Sequence, residues 1–168
     1  MKPKILPSYE ELHSVFEYDP IEGNLFWKIS PNKKIHIGDF AGWVDSQGYF
    51  SVTYNKQAWK CHRIAWKMYY NEEPPEVIDH KDTNILNFKI DNLRKATNAQ
   101  NGHNRAMNSN NTSGVKGLCL IDGKWRARIT VDGKSKQKSF YDYDEAVDWI
   151  KNQRILLHKE FVHLSDAY

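Results

Sequence analysis

The chain has 168 residues, 40% hydrophobic, 27% charged and 13% aromatic, a composition that excludes an intrinsically disordered protein and leaves room for one ordinary domain or two small ones. The 24 Lys and Arg against 21 Asp and Glu give a net charge of only +3. No run approaches the roughly 18 apolar residues of a membrane span, no apolar signal core opens the chain, and neither Cys61 nor Cys119 belongs to a C-x-x-C pair. A membrane protein, a disulfide framework and a zinc finger are therefore unsupported, and a cytoplasmic, reducing location is expected.

In chain order, "YEELHSVF" from Tyr9 to Phe16 reads as a short helix. "YDPIEGNLFWK" and "GDFAGWVDSQGYFSVTYNKQAWKCHR" alternate apolar and polar residues between glycine-containing turns, which predicts a small region of antiparallel strands. "HRIAWKMYY", His62 to Tyr70, places Ile64, Ala65 and Met68 at helical spacing and stops before Pro74-Pro75. "EVIDH" is then an extended segment ending at His80, "KDTNILNFK" a long turn, "IDNLRKA" a second extended segment, and "TNAQNGHNR" a helix. Thr97 with Gln100 three residues later is a capping-box spacing, which puts Asn101 near the end of the first helical turn.

"MNSNNTS", Met107 to Ser113, is polar and aperiodic and reads as a linker. Beyond it "GVKGLCLIDGKWRARITVDGKSKQKSF" predicts three strands with Asp-Gly turns at Asp122-Gly123 and Asp132-Gly133. The final helix, "DEAVDWIKNQRILLHKEF", offers Ala146, Trp149, Ile150, Leu157 and Phe161 to that sheet. Charge is uneven along the chain: Gly102 to Lys138 carries eight Lys and Arg against Asp122 and Asp132. Such a stretch is either a polyanion-binding surface or a solvated face.

The stretch Val77–Asn101 holds an Asp-His pair and five asparagines, Asn84, Asn87, Asn92, Asn98 and Asn101, although asparagine is poor in both helices and strands. If Asp79 ends one strand and Asn101 lies in the first turn of the following helix, a carboxylate and an amide carbonyl converge as hard oxygen ligands of the kind that suit Mg²⁺. His80 then points to the other side of its strand, as a general base for water, and Asn92 holds the imidazole by a hydrogen bond. Asn84 and Asn87 are expected to be turn residues with left-handed backbone, and Asn98 an exposed residue of the first helical turn.

His62, Asp79-His80, Asn92 and Asn101, with "HRIAW" upstream and "NLRKAT" between, resemble the HNH endonucleases, particularly the phage and intron-encoded homing enzymes, over Tyr9 to Arg105. The resemblance implies an α+β chain with a ββα-metal nuclease core. In it Asp79 and Asn101 bind one divalent ion, His80 is the base and Asn92 orients it. Asn101 stands where the wider family often has histidine, so Mg²⁺ or Mn²⁺ is implied rather than Zn²⁺. His62 also matches the family pattern, with a structural, phosphate-contacting or catalytic role. His103 and Asn104 lie further along the same helix, within reach of phosphate.

Gly114 to Phe161, with "GVKG", "KWRARI" and "YDEAV", is similar to the Apetala and ethylene-response DNA-binding domain, a three-stranded sheet with one helix. Strand alternation sets Trp125, Ala127 and Ile129 on a core face and Arg126, Arg128 and Thr130 on the other, beside Lys116, Lys134 and Lys136. Together these imply residues 1–106 as a nuclease domain, 107–113 as a linker and 114–168 as a DNA-binding domain. Arg105, Lys116, Arg126, Arg128, Lys134 and Lys136 would contact double-stranded DNA. The whole would be a monomeric, sequence-specific, metal-dependent homing endonuclease of a bacterial host cell that nicks one strand. The rival reading is a DNA-binding or regulatory protein with a relic nuclease domain.

Overall fold

The computed structural model of the protein describes residues 5–103, 110–131 and 133–158. The chain divides into two compact units, Met1–Ala96 and Thr97–Tyr168. Among the described residues there are four α-helices and several small antiparallel sheets.

In the first unit, α1 (Tyr9–Val15) starts where the Ser8 hydroxyl accepts the Glu11 amide at 3.1 Å, with Glu10 and Glu11 at the positive end of the helix dipole. Leu12 and Val15 are buried, and the next residue, Phe16, turns extended and opens β1 (Phe16–Asp19). This strand pairs with β2 (Asn24–Trp27). The turn between them passes through Gly23 at φ +69°, where a Cβ would lie 2.4 Å from the Lys89 backbone nitrogen; only glycine lets the Lys89 segment approach so closely.

A three-stranded sheet follows, β3 (Trp43–Val44), β4 (Phe50–Tyr54) and β5 (Gln57–Lys60), in that order. Asn55 and Lys56, at φ 51° and 60°, make the β4–β5 turn with the twist that hairpins favour. The chain enters α2 (Cys61–Tyr70) directly from β5, and Asn71 in left-handed conformation ends the helix. Phe16, Leu25, Val52, Ile64, Ala65, Trp66, Phe88 and Leu93 share one core, so α2, the small sheets and the later 81–92 loop are packed as one body.

Between α2 and the next strand, Arg63 donates to the carbonyls of Pro74, Pro75 and Glu76 at 3.3, 3.0 and 3.4 Å. Trp66 Nε1 donates to Glu72 at 3.0 Å, and Lys67 pairs with Glu73. This fixes the entry to β6 (Val77–His80), which pairs with β7 (Leu93–Ala96) as a two-stranded ribbon. Residues Ile90–Asn92, expected to be extended, form a 3-10 turn instead, because the Asn92 side chain is committed to the loop that precedes it.

In the second unit, α3 (Asn98–His103) begins with the expected capping box: the Thr97 amide donates to Gln100 Oε1 at 2.8 Å and the Gln100 amide to Thr97 Oγ1 at 3.2 Å. Asn98 is exposed in the first turn, and the Asn101 amide donates to the Thr97 carbonyl at 2.9 Å. Strands β8 (Leu118–Ile121), β9 (Lys124–Val131) and β10 (Lys134–Phe140) form a sheet with β9 central. Asp122 and Gly123, at φ 52° and 72°, make the first of the two expected hairpin turns. In the second turn, Asp132 lies outside the described residues.

Helix α4 (Tyr143–His158) covers one face of this sheet, with Ala146 and Ile150 buried against Leu118, Ala127 and Phe140. Trp125 packs on this core with its ring 4.8 Å from Tyr143, as its place in the strand predicts. Arg154 is buried and donates to the Lys116 carbonyl. Phe161, expected on the apolar face of this helix, lies outside the described residues. Of the polar stretch read as a linker, Ser113 is tied to the sheet, and Asn111 Nδ2 donates to the Val115 carbonyl at 3.1 Å. Ser113 Oγ donates to the Leu118 carbonyl at 2.7 Å, and its own carbonyl accepts the Tyr143 hydroxyl at 2.9 Å.

Candidate active site

The ribbon β6–β7 carries the two candidate site residues Asp79 and His80. Its register sets Asp79 opposite Arg94 and His80 opposite Leu93, so Asp79 and His80 leave on opposite faces. Neither face is open: Asp79 is 3% exposed and His80 4%.

His80 meets two rings from earlier elements. His62, 9% exposed in the first turn of α2, lies edge-to-face with its ring centroid 5.1 Å away. Tyr49, in the segment leading into β4, is 6.1 Å from His80 and 5.3 Å from His62. Burial lowers the His80 imidazole below its ordinary 6.5, against the carboxylates of Asp82 and Asp79, which favour its charged form. Burial, with His80 and then Arg63 and Lys60 as further causes, lowers His62 to about 3. Both imidazoles are neutral at pH 7, the form in which a histidine can accept a proton.

Beside them is a polar cluster that the sequence did not announce. Lys60 Nζ sits 4.6 Å over the Tyr49 ring, 2.5 Å from Asp45 Oδ2 and 2.8 Å from Gln47 Oε1. Ser51 Oγ donates to the same Asp45 carboxylate at 2.5 Å. The Lys60 ammonium, and after it the Ser51 hydroxyl, hold the Asp45 carboxyl well below the usual carboxylate range.

Asp79, expected as a metal ligand, is one half of a buried ion pair. Its Oδ2 accepts Arg94 Nε and the adjacent NH2 group, each at 2.7 Å. A carboxylate is a hard oxygen ligand of the kind that suits a divalent ion taking most of its shell from water and phosphate, and here that carboxylate is occupied by Arg94. Among the described residues no three His, Cys, Asp or Glu side chains converge, and an ion held in that way needs no such cage.

Asn92 corrects one expectation. Its side-chain amide does not hold His80. It donates to Asp82 Oδ1 and to the Asn87 carbonyl, both at 2.8 Å, and its oxygen accepts the Asp82 amide at 3.0 Å. Asn92 therefore fixes Asp82, whose charge acts on His80. Asn84 and Asn87 do serve turns, accepting the amides of Leu86 and Lys89 at 3.1 and 3.3 Å. The left-handed residue of this loop is Thr83, at φ 63°, and not either asparagine. Asn101 lies on α3 in the second unit, and Arg105 and Asn104 lie outside the described residues, as does the His103 side chain.

The expected basic face is also redrawn. Arg126, Arg128 and Thr130 do project together, across from Ser139, Gln137 and Ser135. Lys136 pairs across from Ile129 and Lys134 from Val131, so both leave on the side that α4 covers, along the outer strand. They are exposed, but they do not extend the arginine face. Lys116 is half-buried in the turn before β8.

Residues 60–103, which contain His62, Asp79, His80, Arg94, Asn92 and Asn101, match the family model described as "HNH endonuclease". The chain is 41% identical over 86 residues to Protein 3.8 of Escherichia phage T7, a span of 50% of this chain and 71% of that protein. The chain belongs to the family of phage T7 Protein 3.8 and carries an HNH endonuclease domain at residues 60–103. The matched HNH segment begins at β5 and ends with α3. No solved structure matches the chain. The HNH assignment supports a nuclease-like, DNA-directed function in general, and among the described residues no helix is long and apolar enough to cross a membrane.

Besides that polar cluster, Arg94, Tyr49, Asp82 and Arg63 carry no motif of their own in the sequence. For Arg94 a signal existed, since pairing "VIDH" with "LRKA" end to end in antiparallel register sets the arginine opposite Asp79.

Proposed function

We propose that this HNH protein is a divalent-metal-dependent DNA endonuclease of the homing type that hydrolyses one strand of a specific site. The observation that supports this is the buried placement of the adjacent Asp79 and His80 at the end of β6, facing opposite ways, with the His62 ring 5.1 Å from His80. His80 takes a proton from water, and the hydroxide so formed attacks phosphorus in line, leaving 3′-hydroxyl and 5′-phosphate ends. Asp79 on β6 and, by its place in the motif, Asn101 are the proposed ligands of one Mg²⁺ or Mn²⁺. The bound ion supplies charge neutralisation at the phosphate and stabilises the leaving oxygen. Asn92 acts on His80 through Asp82 as a positioning residue.

The β6, β7 and α3 elements would be the ββα-metal core, within a nuclease domain of residues 1–106. Residues 114–168, joined through 107–113, would be a DNA-binding domain of the Apetala type. Its open face, with Arg126 and Arg128, would enter a major groove, while Lys116, Lys134, Lys136 and Arg105 would meet phosphates. A monomer with a single Asp79-His80 site, held in one register on antiparallel strands, presents in-line geometry to one strand only.

The test is a supercoiled plasmid bearing candidate sites, incubated with Mg²⁺ and with either the wild type or His80→Ala. Cleavage should fall by about 10²- to 10⁴-fold in the variant, the usual worth of a general base, with DNA affinity nearly unchanged. Open circles should accumulate first; linear DNA appearing directly would sink the one-strand reading, and equal activity in the variant would sink the base assignment.

A further inference from the structure

Asp79 is asked to do two things. As the proposed ligand it must face a divalent ion, yet its Oδ2 already accepts both donors of one edge of the Arg94 guanidinium, at 2.7 Å each. The two residues are direct cross-strand partners, so the contact is built into the ribbon register and does not depend on a chance rotamer. It is also buried, with Asp79 at 3% and Arg94 at 13% side-chain exposure, so the two charges are poorly screened. A guanidinium and a divalent ion cannot both sit against one carboxylate oxygen without strong repulsion. A guanidinium does have a second partner of matching geometry in this reaction, a DNA phosphate, to which it forms paired hydrogen bonds.

We propose that Arg94 holds the place of the divalent ion at Asp79 and releases the carboxylate when a DNA phosphate takes up its guanidinium, so that metal and DNA bind cooperatively. The inference rests on the reading of Asp79 as a metal ligand. Without DNA the buried carboxylate keeps a cation beside it, which avoids the cost of an uncompensated buried charge. With DNA, Arg94 moves its charge to the strand about to be cut, and Asp79 becomes available to the ion. By linkage, the factor by which DNA raises metal affinity must equal the factor by which metal raises DNA affinity.

The experiment measures Mn²⁺ affinity of the full chain by calorimetry, with and without a DNA duplex of random sequence, alongside thermal melting. The variants are Arg94→Gln, Arg94→Lys and Asp79→Asn. Arg94→Gln should bind Mn²⁺ about 5- to 150-fold more tightly than the wild type without DNA, the ordinary range of a coupling free energy. Its melting temperature should be lower without Mn²⁺ and should rise more on Mn²⁺ addition. DNA should raise Mn²⁺ affinity more for the wild type than for either Arg94 variant. Arg94→Lys keeps a cation but loses the fork, so it should fold and fall between the two, and it carries the test if Arg94→Gln does not fold. If neither Arg94 variant binds Mn²⁺ more tightly while Asp79→Asn binds it more weakly, Arg94 is structural and the exchange is wrong. If Asp79→Asn binds Mn²⁺ as the wild type does, the carboxylate is not the ligand and both readings fall.

Discussion

A histidine buried neutral, as His62 is, makes stability depend on acid. Its imidazole titrates at about 3 in the folded protein and near 6.5 when freely hydrated, so between those values the unfolded chain binds the extra proton. Stability from this group is therefore complete above pH 6.5 and is lost as pH falls toward 3. The loss approaches about 1.4 kcal/mol for each pH unit in that window, because the unfolded state gains up to one proton there. Denaturant unfolding of the wild type should steepen in acid accordingly, and His62→Phe, which has no proton to gain, should flatten the curve. Identical acid dependence in the two proteins would show that His62 is charged or hydrated in the fold. Tyr49 closes the other side of the same pair, at 5.3 Å from His62. Its role is invisible in the sequence because a lone tyrosine before a strand carries no motif.

At the scale of elements, the loop from Lys81 to Asn92 is held mainly by asparagine and aspartate side chains and not by regular structure. Asp82 alone accepts the Asn84 amide, the Asn87 side chain and the Asn92 side chain, at 2.9, 2.6 and 2.8 Å. Phe88 and Ile90 anchor the loop in the core, and the Tyr18 hydroxyl donates to the Phe88 carbonyl at 2.6 Å. Replacing Asn92 by Ala leaves Asp82 and the Asn87 carbonyl short of donors, and should destabilise the fold by about 1–3 kcal/mol, measured by denaturant unfolding. Asn92→Ala should lower cleavage as well, since Asp82 is then unfixed beside His80. A variant with unchanged stability would remove Asn92 from the loop's framework. What was legible in the sequence here was local: helix ends, the capping box at Thr97 and Gln100, the strand ending at His80. The destination of the Asn92 amide was not legible, because it depends on how a long loop closes, and side-chain type does not encode that. The Lys134 and Lys136 placement was legible too: Val131 pairs with Lys134, and strand alternation then fixes the face of every lysine on β10.

For the whole molecule, the split of basic residues between two sides of the second unit's sheet divides their expected tasks. The open face offers Arg126 and Arg128 among Thr130, Ser135, Gln137 and Ser139, a donor-rich surface with no carboxylate among these residues. Arg128 Nε and NH2 already lie 3.4 and 3.1 Å from the Ser135 hydroxyl, which holds that side chain over the sheet. Arg126→Ala or Arg128→Ala should weaken binding to a preferred sequence by about 1–3 kcal/mol and to random DNA by less. Replacing Lys134 and Lys136 should instead weaken both equally and reduce the salt slope by about 0.9 for each phosphate that is no longer neutralised. Binding titrations over a salt series separate the two, and an unchanged specificity ratio in the arginine variants would reduce their role to holding the DNA backbone.

Arg63 grips three consecutive carbonyls between α2 and β6, and the same helix turn carries His62 against His80. The strand that ends in His80 is therefore tied to α2, and α2 is central to the first unit's core. In hydrogen-exchange terms the amides of β6 should belong to the slowest class, opening only when the unit unfolds as a whole. Proteases should then find no state in which the nuclease segment is cut while the rest of that unit survives. Loss of that unit's stability and loss of the Asp79–His80 strand become one event.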